Sequence, residues 1–310
     1  MPKFLNNWIF ALGLAALVCV GCKQSNSKDV GQMTIAELQA AANQGNDQAM
    51  VRLGLFYEVG RGITQDTNEA VKWYRKAASD GNADGQFTLG YCYFIGRDVS
   101  QDFSEAIKLF SQAANAGQSR AQMLLGEAYA RGLGVEKNNQ EAFNWFQKAA
   151  MQGEVGGQYG LGICYQRGVG TETNEVEALN WLKKSAESGY DKAQVELGKM
   201  YLNGFGVNQN LTEAFNWFQK AGMQGNPNAE MSLGFYYALE NTNKDLIESY
   251  KWITLTGYKD SSLADIALNT LKQRGIVFSP EQIAAGKRRA DEFVKTNQFV
   301  LPSTNQYNGL

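Results

Sequence analysis

The sequence predicts an all-α fold made of repeated helix pairs. Three observations carry that expectation. A Leu-Gly pair recurs with its glycine at Gly54, Gly90, Gly126, Gly162, Gly198 and Gly234, each step being 36 residues. Within each interval, apolar residues recur at helical spacing on both sides of a loop. Proline is rare, with four residues, whereas glycine reaches 33, a balance suited to helices joined by glycine turns. Hydrophobic residues at 44% and charged residues at 19% place the chain among globular proteins.

Taken in order, residues 1–22 read as a secretory signal. Lys3 is the only charge ahead of a 13-residue, mostly apolar run from Trp8 to Val20. A spanning helix needs roughly 20 residues. The run ends in Val20-Gly21-Cys22, which resembles a bacterial lipobox, with Cys19 where such a box usually carries Leu. Cys22 is then the expected lipidation site and mature N-terminus; an uncleaved anchor and an ordinary cleaved signal are the alternatives. Each buried CH₂ of an acyl chain is worth about 0.8 kcal/mol, so two or three chains anchor stably in a membrane. Lys23, not Asp, follows the cysteine. By resemblance to Gram-negative lipoproteins this implies the outer membrane, facing the periplasm. Residues 23–33 are expected to form a flexible tether.

The repeat array is expected over residues 34–274, as six 36-residue repeats with flanking half-repeats. Thr34-Ile35-Ala36-Glu37 is a capping box that opens a lone helix over 34–43. In the first repeat, helix A is expected over Asp47–Val59, with Ala49, Leu53 and Tyr57 on one face. A glycine inside a helix costs about 1 kcal/mol relative to alanine, so the recurring Gly54 position predicts close approach of a neighbouring helix. Gly60-Arg61-Gly62-Ile63 matches Gly132-Leu133-Gly134-Val135 and Gly204-Phe205-Gly206-Val207; glycine there can take φ > 0 and end helix A. Helix B is expected over Thr67–Ser79, with Ala70, Trp73, Tyr74 and Ala77 as its apolar stripe. Asp66, Asp102, Asn138, Asn174, Asn210 and Asp245 each stand three residues before a glutamate: Glu69, Glu105, Glu141, Glu177, Glu213 and Glu248. This is a capping-box pattern, and capping with the helix dipole accounts for these carboxylates without a catalytic role. Ser261–Arg274 reads as a last A-type helix. Ser279-Pro280-Glu281-Gln282 opens a capping helix within 275–296, and residues 297–310 are expected to be a flexible tail.

The pattern A-x3-L-G-x2-Y-x2-G-x-G-[VI]-x2-[DN]-x2-E-A-x2-W-x2-K-A-A, which Ala121 to Ala150 follow closely, resembles the Sel1-like repeat. The resemblance covers about Thr34–Arg274. It implies a right-handed α/α superhelical solenoid, related to tetratricopeptide arrays, whose members mostly act as protein-interaction scaffolds. Asp98 replaces the second loop glycine of the second repeat, Thr171 the loop Val/Ile of the fourth, and the sixth loop, Glu240 to Lys244, lacks both glycines. Some cysteine-rich relatives carry a disulfide in each repeat and are linked to penicillin binding or β-lactamase activity; this sequence lacks such pairs. Cys92 and Cys164 fall at the same place two repeats apart. Helices pack roughly 8–10 Å apart, beyond the roughly 7 Å reach of a disulfide, so both read as packed thiols.

Histidine is absent. That excludes a Ser-His-Asp triad, a Cys-His dyad and a His-ligated metal site. A formal charge of -2 does not fit a polybasic nucleic-acid binder. Gly156, Gly157, Gly160 and Gly162 do not form GxGxxG, and Gly286-Lys287 lacks the upstream glycine of a phosphate loop. No enzyme, cofactor or metal is expected.

Repeat arrays present an extended binding surface, lined in this type by helix A. The positions equivalent to 48, 52, 55 and 59 share one helix-A face and vary between repeats. On it, Arg131 and Arg167 are candidates for partner carboxylates, Tyr91 and Phe235 for aromatic anchors, and Glu127 and Lys199 for further polar contacts. The expected function is an envelope-anchored scaffold that binds a protein or peptide segment, with membrane attachment through the N-terminal lipid. A hydrolase of the penicillin-binding type and a surface-displayed host-interaction module are the alternatives.

Overall fold

The computed structural model describes residues 29–240 and 243–296, and every regular element among them is helical. The chain divides into two compact units, residues 1–157 and 158–310. After a 3-10 turn at Val30–Gln32, the first unit contains α1 (Ile35–Asn43), α2 (Asp47–Val59), α3 (Thr67–Ser79), α4 (Ala83–Ile95), α5 (Phe103–Asn115), α6 (Ser119–Arg131) and α7 (Asn139–Met151). The division falls inside α8 (Val155–Arg167). The second unit continues with α9 (Glu175–Glu187), α10 (Asp191–Asn203), α11 (Leu211–Met223), α12 (Pro227–Glu240), α13 (Asn243–Gly257), α14 (Ser261–Gln273) and α15 (Pro280–Thr296). This is the all-α, helix-pair solenoid architecture expected. The first pair, α2 and α3, has the expected bounds.

The A helices of the first five repeats end on left-handed glycines; in the first unit these are Gly60, Gly96 and Gly132. The second loop position repeats that geometry in Gly62 and Gly134, and in the second repeat Asp98 takes it at φ 56°. Asp98 is the one non-glycine residue with positive φ among the described residues.

The B helices start from side-chain caps. Asp66 accepts the Glu69 N–H at 3.0 Å, and Asp102 the Glu105 N–H at 3.0 Å. The capping box is only half formed, because the cap's own N–H is already taken. Asp66 N–H donates to the Tyr57 carbonyl at 2.9 Å, and Asp102, Asn138, Asn174 and Asn210 do the same to Tyr93, Tyr129, Tyr165 and Tyr201. The glutamates are thereby free to pair elsewhere, as Glu105 does with Lys108 at 3.1 Å. The full reciprocal box forms at Thr34–Glu37.

Packing inside each pair follows from the missing side chain on helix A. A methyl group placed on Gly54 would lie 2.5 Å from the Tyr74 ring, on Gly90 3.0 Å from Phe110, and on Gly126 2.7 Å from Phe146. In the second unit the same contact joins Gly162 to Leu182, Gly198 to Phe218 and Gly234 to Ile253. The residue that fills the glycine notch thus follows the tryptophan position by one. Trp73, Trp145 and Trp181 themselves are half-buried. Lysine Nζ atoms lie over their rings at 5.3 Å for Lys76, 3.9 Å for Lys148 and 4.0 Å for Lys184, a cation–π contact with the lysine stem laid along the indole.

The end of the second unit departs from expectation. Asp245 lies in the first turn of α13 and is not its N-cap, because α12 runs on to Glu240 without the glycine loop. Glu248 pairs with Lys251 at 2.7 Å and with Arg289 of α15, so it fastens the closing helix instead of completing a cap. Gly286 lets α15 sit against Tyr250, and Trp252 meets Phe293 edge-on at 5.5 Å.

Gly126→Ala tests the notch. The substitution gains about 1 kcal/mol of helix propensity but forces Phe146 to move, at a cost of about 1–3 kcal/mol. We expect a lower thermal midpoint than the parent by circular dichroism; an unchanged or higher midpoint would refute the notch.

Candidate functional site

The helix-A face runs the length of each A helix, and Arg131 and Arg167 stand in its last turn. A cation there is favoured by the helix dipole. In the first unit Arg131 is exposed and pairs with Glu127 one turn earlier at 2.8 Å. These two candidates therefore meet, as an intrahelical pair. Such exposed pairs contribute only about 0–1 kcal/mol, so an incoming carboxylate can compete for the guanidinium. Tyr91 does not have the exposure expected of an anchor. It is 7% exposed, within the core cluster of Phe110, Leu124 and Leu125, and burial pushes its phenol pKa above the ordinary value. Leu124, another of the face positions, is buried as well.

In the second unit Arg167 and Lys199 are exposed. Lys199 pairs with Glu196 at 2.8 Å, a residue not singled out beforehand. Phe235 is half-buried and packs against the cluster of Ala238, Ile253 and Leu271, leaving part of its ring at the surface.

The first repeat holds a feature that sequence reasoning missed. Residues 29–33 are not a free tether. Arg52 Nη2 donates to the Gly31 carbonyl at 2.8 Å, and Val30 and Met33 pack against the first core cluster. The signal was faint: Arg52 has Thr88, Leu124, Gly160, Glu196 and Ser232 as its equivalents, so only the first repeat places a guanidinium there.

A second missed feature is Glu230, fully buried on α12 and paired with Lys259. Burial pushes its carboxyl up to about 7, with Lys259 opposing the shift. The second to fifth repeats place glutamine at that position. Gln122 donates to the Ala114 carbonyl at 3.1 Å and accepts from Gln152 at 2.7 Å; Gln194 does so with Ala186 at 3.1 Å and Gln224 at 2.8 Å. The sixth repeat converts this amide pair into an acid–base pair, which comparison of the repeats could have revealed.

Cys92 and Cys164 are free and buried, and burial pushes both thiols up to about 12. A thiol held protonated is a poor nucleophile. Among the described residues no group of three or more His, Cys, Asp or Glu side chains could hold a metal ion. No helix among them is long and apolar enough to cross a membrane. Cys22 with the signal of residues 1–22, and the tail 297–310, lie outside the described residues.

A family model for the Sel1 repeat matches residues 47–82, 83–118, 119–154, 155–190 and 191–226, five consecutive repeats. Among solved structures, the chain is similar to c5321, described as a protective antigen present in uropathogenic Escherichia coli strains displaying an SLR fold. The identity is 34%, with a TM-score of 0.64, over 83% of this chain and 56% of that one. The chain thus spans little more than half the length of that protein. It is also similar to a Sel1 repeat protein from Oxalobacter formigenes, at 28% identity and a TM-score of 0.66, over 72% of this chain and 92% of that one. No curated protein matches the chain.

The Glu230–Lys259 pair yields a prediction. Between pH 4.5 and about 7 the folded chain keeps a proton on Glu230 that the unfolded chain has released. Its contribution is therefore greatest below the lower value and falls as pH rises through the upper one. Glu230→Gln should flatten the thermal midpoint across that window. Lys259→Met, which leaves the buried Glu230 carboxyl without its cation and so drives its pKa further up, should cost about 3–5 kcal/mol above neutral pH, where the unfolded chain is ionised. Glu230→Gln with Lys259→Gln, which copies the Gln194–Gln224 pair, should stay within about 1 kcal/mol of the parent. Guanidinium melts across pH would check all three.

Proposed function

Because the chain belongs to the Sel1 repeat family, whose members are generally non-catalytic protein-interaction scaffolds, we propose that it is an envelope-anchored adaptor that binds a protein or peptide segment on its helix-A faces. The observation that carries this reading is a contrast within each repeat. The notch glycine and the buried B-helix residue recur at every step, and the cap through the first five repeats, whereas helix-A surface positions carry unrelated side chains, among them the exposed Arg131, Arg167 and Lys199. A fold that needed those positions would hold them constant. Lipid on Cys22 would keep the array at the membrane.

Affinity capture from solubilised envelopes tests the reading, with residues 24–310 as bait and Arg131→Glu and Arg167→Glu as separate variants. Each reversal adds a like-charge or unpaired position worth only about 0.2–0.5 kcal/mol to its own helix, so the fold should survive. We expect a protein retained by the parent and weakened about tenfold or more by at least one reversal. Retention unaffected by either would remove the helix-A face from the proposal.

A second reading, surface display, is favoured by the likeness to c5321, a protein described as a protective antigen. Protease treatment of intact cells separates the two: digestion of the chain supports display, and protection until the outer membrane is opened supports a periplasmic scaffold.

A further inference from the structure

The helix-A face of the first repeat already has a tenant. Asp29 accepts the Gly31 N–H at 3.0 Å and closes a single 3-10 turn, Val30–Gln32, laid beside α2. Arg52 Nη2 binds the Gly31 carbonyl at 2.8 Å. Val30 and Met33, three positions apart, pack against the core cluster that contains Leu38, Met50 and Leu53. The guanidinium also lies over the Phe56 ring, with the centroid 5.7 Å away, and its Nε is buried without a hydrogen bond. A fixed donor on one backbone carbonyl, with two apolar side chains taken into a cluster, is how a short segment is recognised by a protein groove. One turn has no helical stability of its own, so those contacts, with the covalent run into the Thr34 cap of α1, hold the segment in place.

Resting on the scaffold reading, we propose that residues 29–33 are a built-in competitor. They occupy the first-repeat part of the helix-A face in cis. A partner segment of the same chemistry, with two apolar side chains flanking a glycine and a neighbouring residue, binds there when they leave. A face occupied nine-tenths of the time weakens such a partner's apparent affinity about tenfold. Arg52 serves the resident and the incoming segment alike.

The probe is a fluorescein-labelled peptide with the sequence of residues 27–35, titrated by polarisation into the full chain. The variants are Val30→Asp with Met33→Asp, which undocks the resident, and the same pair with Arg52→Ala. We expect the undocked variant to bind the peptide at least tenfold more tightly than the parent, and Arg52→Ala to abolish that gain. No binding by the undocked variant, equal binding by parent and variant, or binding indifferent to Arg52→Ala overturns the proposal. Hydrogen exchange across α2 and α3 verifies that each variant keeps its fold; Val30→Ser with Met33→Ser replaces one that does not and is read in the same way. The peptide assay needs no partner. A negative result beside a capture that depends on Arg131 or Arg167 removes the competitor and leaves the scaffold reading in place.

Discussion

The structure depends on an atom that is absent. At the middle of each A helix, the lack of a Cβ lets one large side chain of the following B helix reach the A backbone. The cap at the start of helix B then closes the pair, because its backbone N–H binds the tyrosine carbonyl near the end of helix A. These two contacts lie on either side of the glycine loop. Between them they set the distance between the helices and the place where helix B must begin. A repeat that keeps both contacts tolerates change nearly everywhere else, which is why Phe, Leu and Ile all serve as the residue in the notch.

That economy explains what was legible beforehand. Helix ends in the first repeats follow from the left-handed glycines and the Asp or Asn caps, both visible as spacing. The sixth repeat was misread at Asp245 because the cap motif persists there without the loop that gives it meaning. Tyr91 was placed on a binding face by its helical position, but position gives direction and not exposure; a long side chain at that place can lie among Phe110, Leu124 and Leu125. The docking of residues 29–33 was invisible for a different reason. It rests on one side-chain-to-carbonyl bond and two apolar contacts, without any period to betray it.

Substitutions at paired positions also carry information that single positions do not. Where Trp becomes Leu109, the lysine three residues on becomes Gln112. An ammonium is retained over the ring only where there is an indole to receive it. The glutamines on the A helices follow this rule only in part. Gln122 and Gln194 have Gln152 and Gln224 within reach, whereas Gln158, whose counterpart is Ser188, keeps a buried Oε1 without a partner. Glu230 and Lys259 change together. In the tryptophan–lysine and Glu230–Lys259 cases the two positions change together, whereas Gln158 is kept although its mate has become Ser188.

The tryptophan placement has an optical consequence. Trp73, Trp145, Trp181, Trp217 and Trp252 stand one to a repeat, each beside an ammonium, while the second repeat is dark at this position. Arrays of this kind lose their ends before their middles when neighbouring repeats supply the stability. Emission from single-tryptophan versions would therefore act as a set of position markers along the chain, reporting which end frays first and how far the loss has travelled.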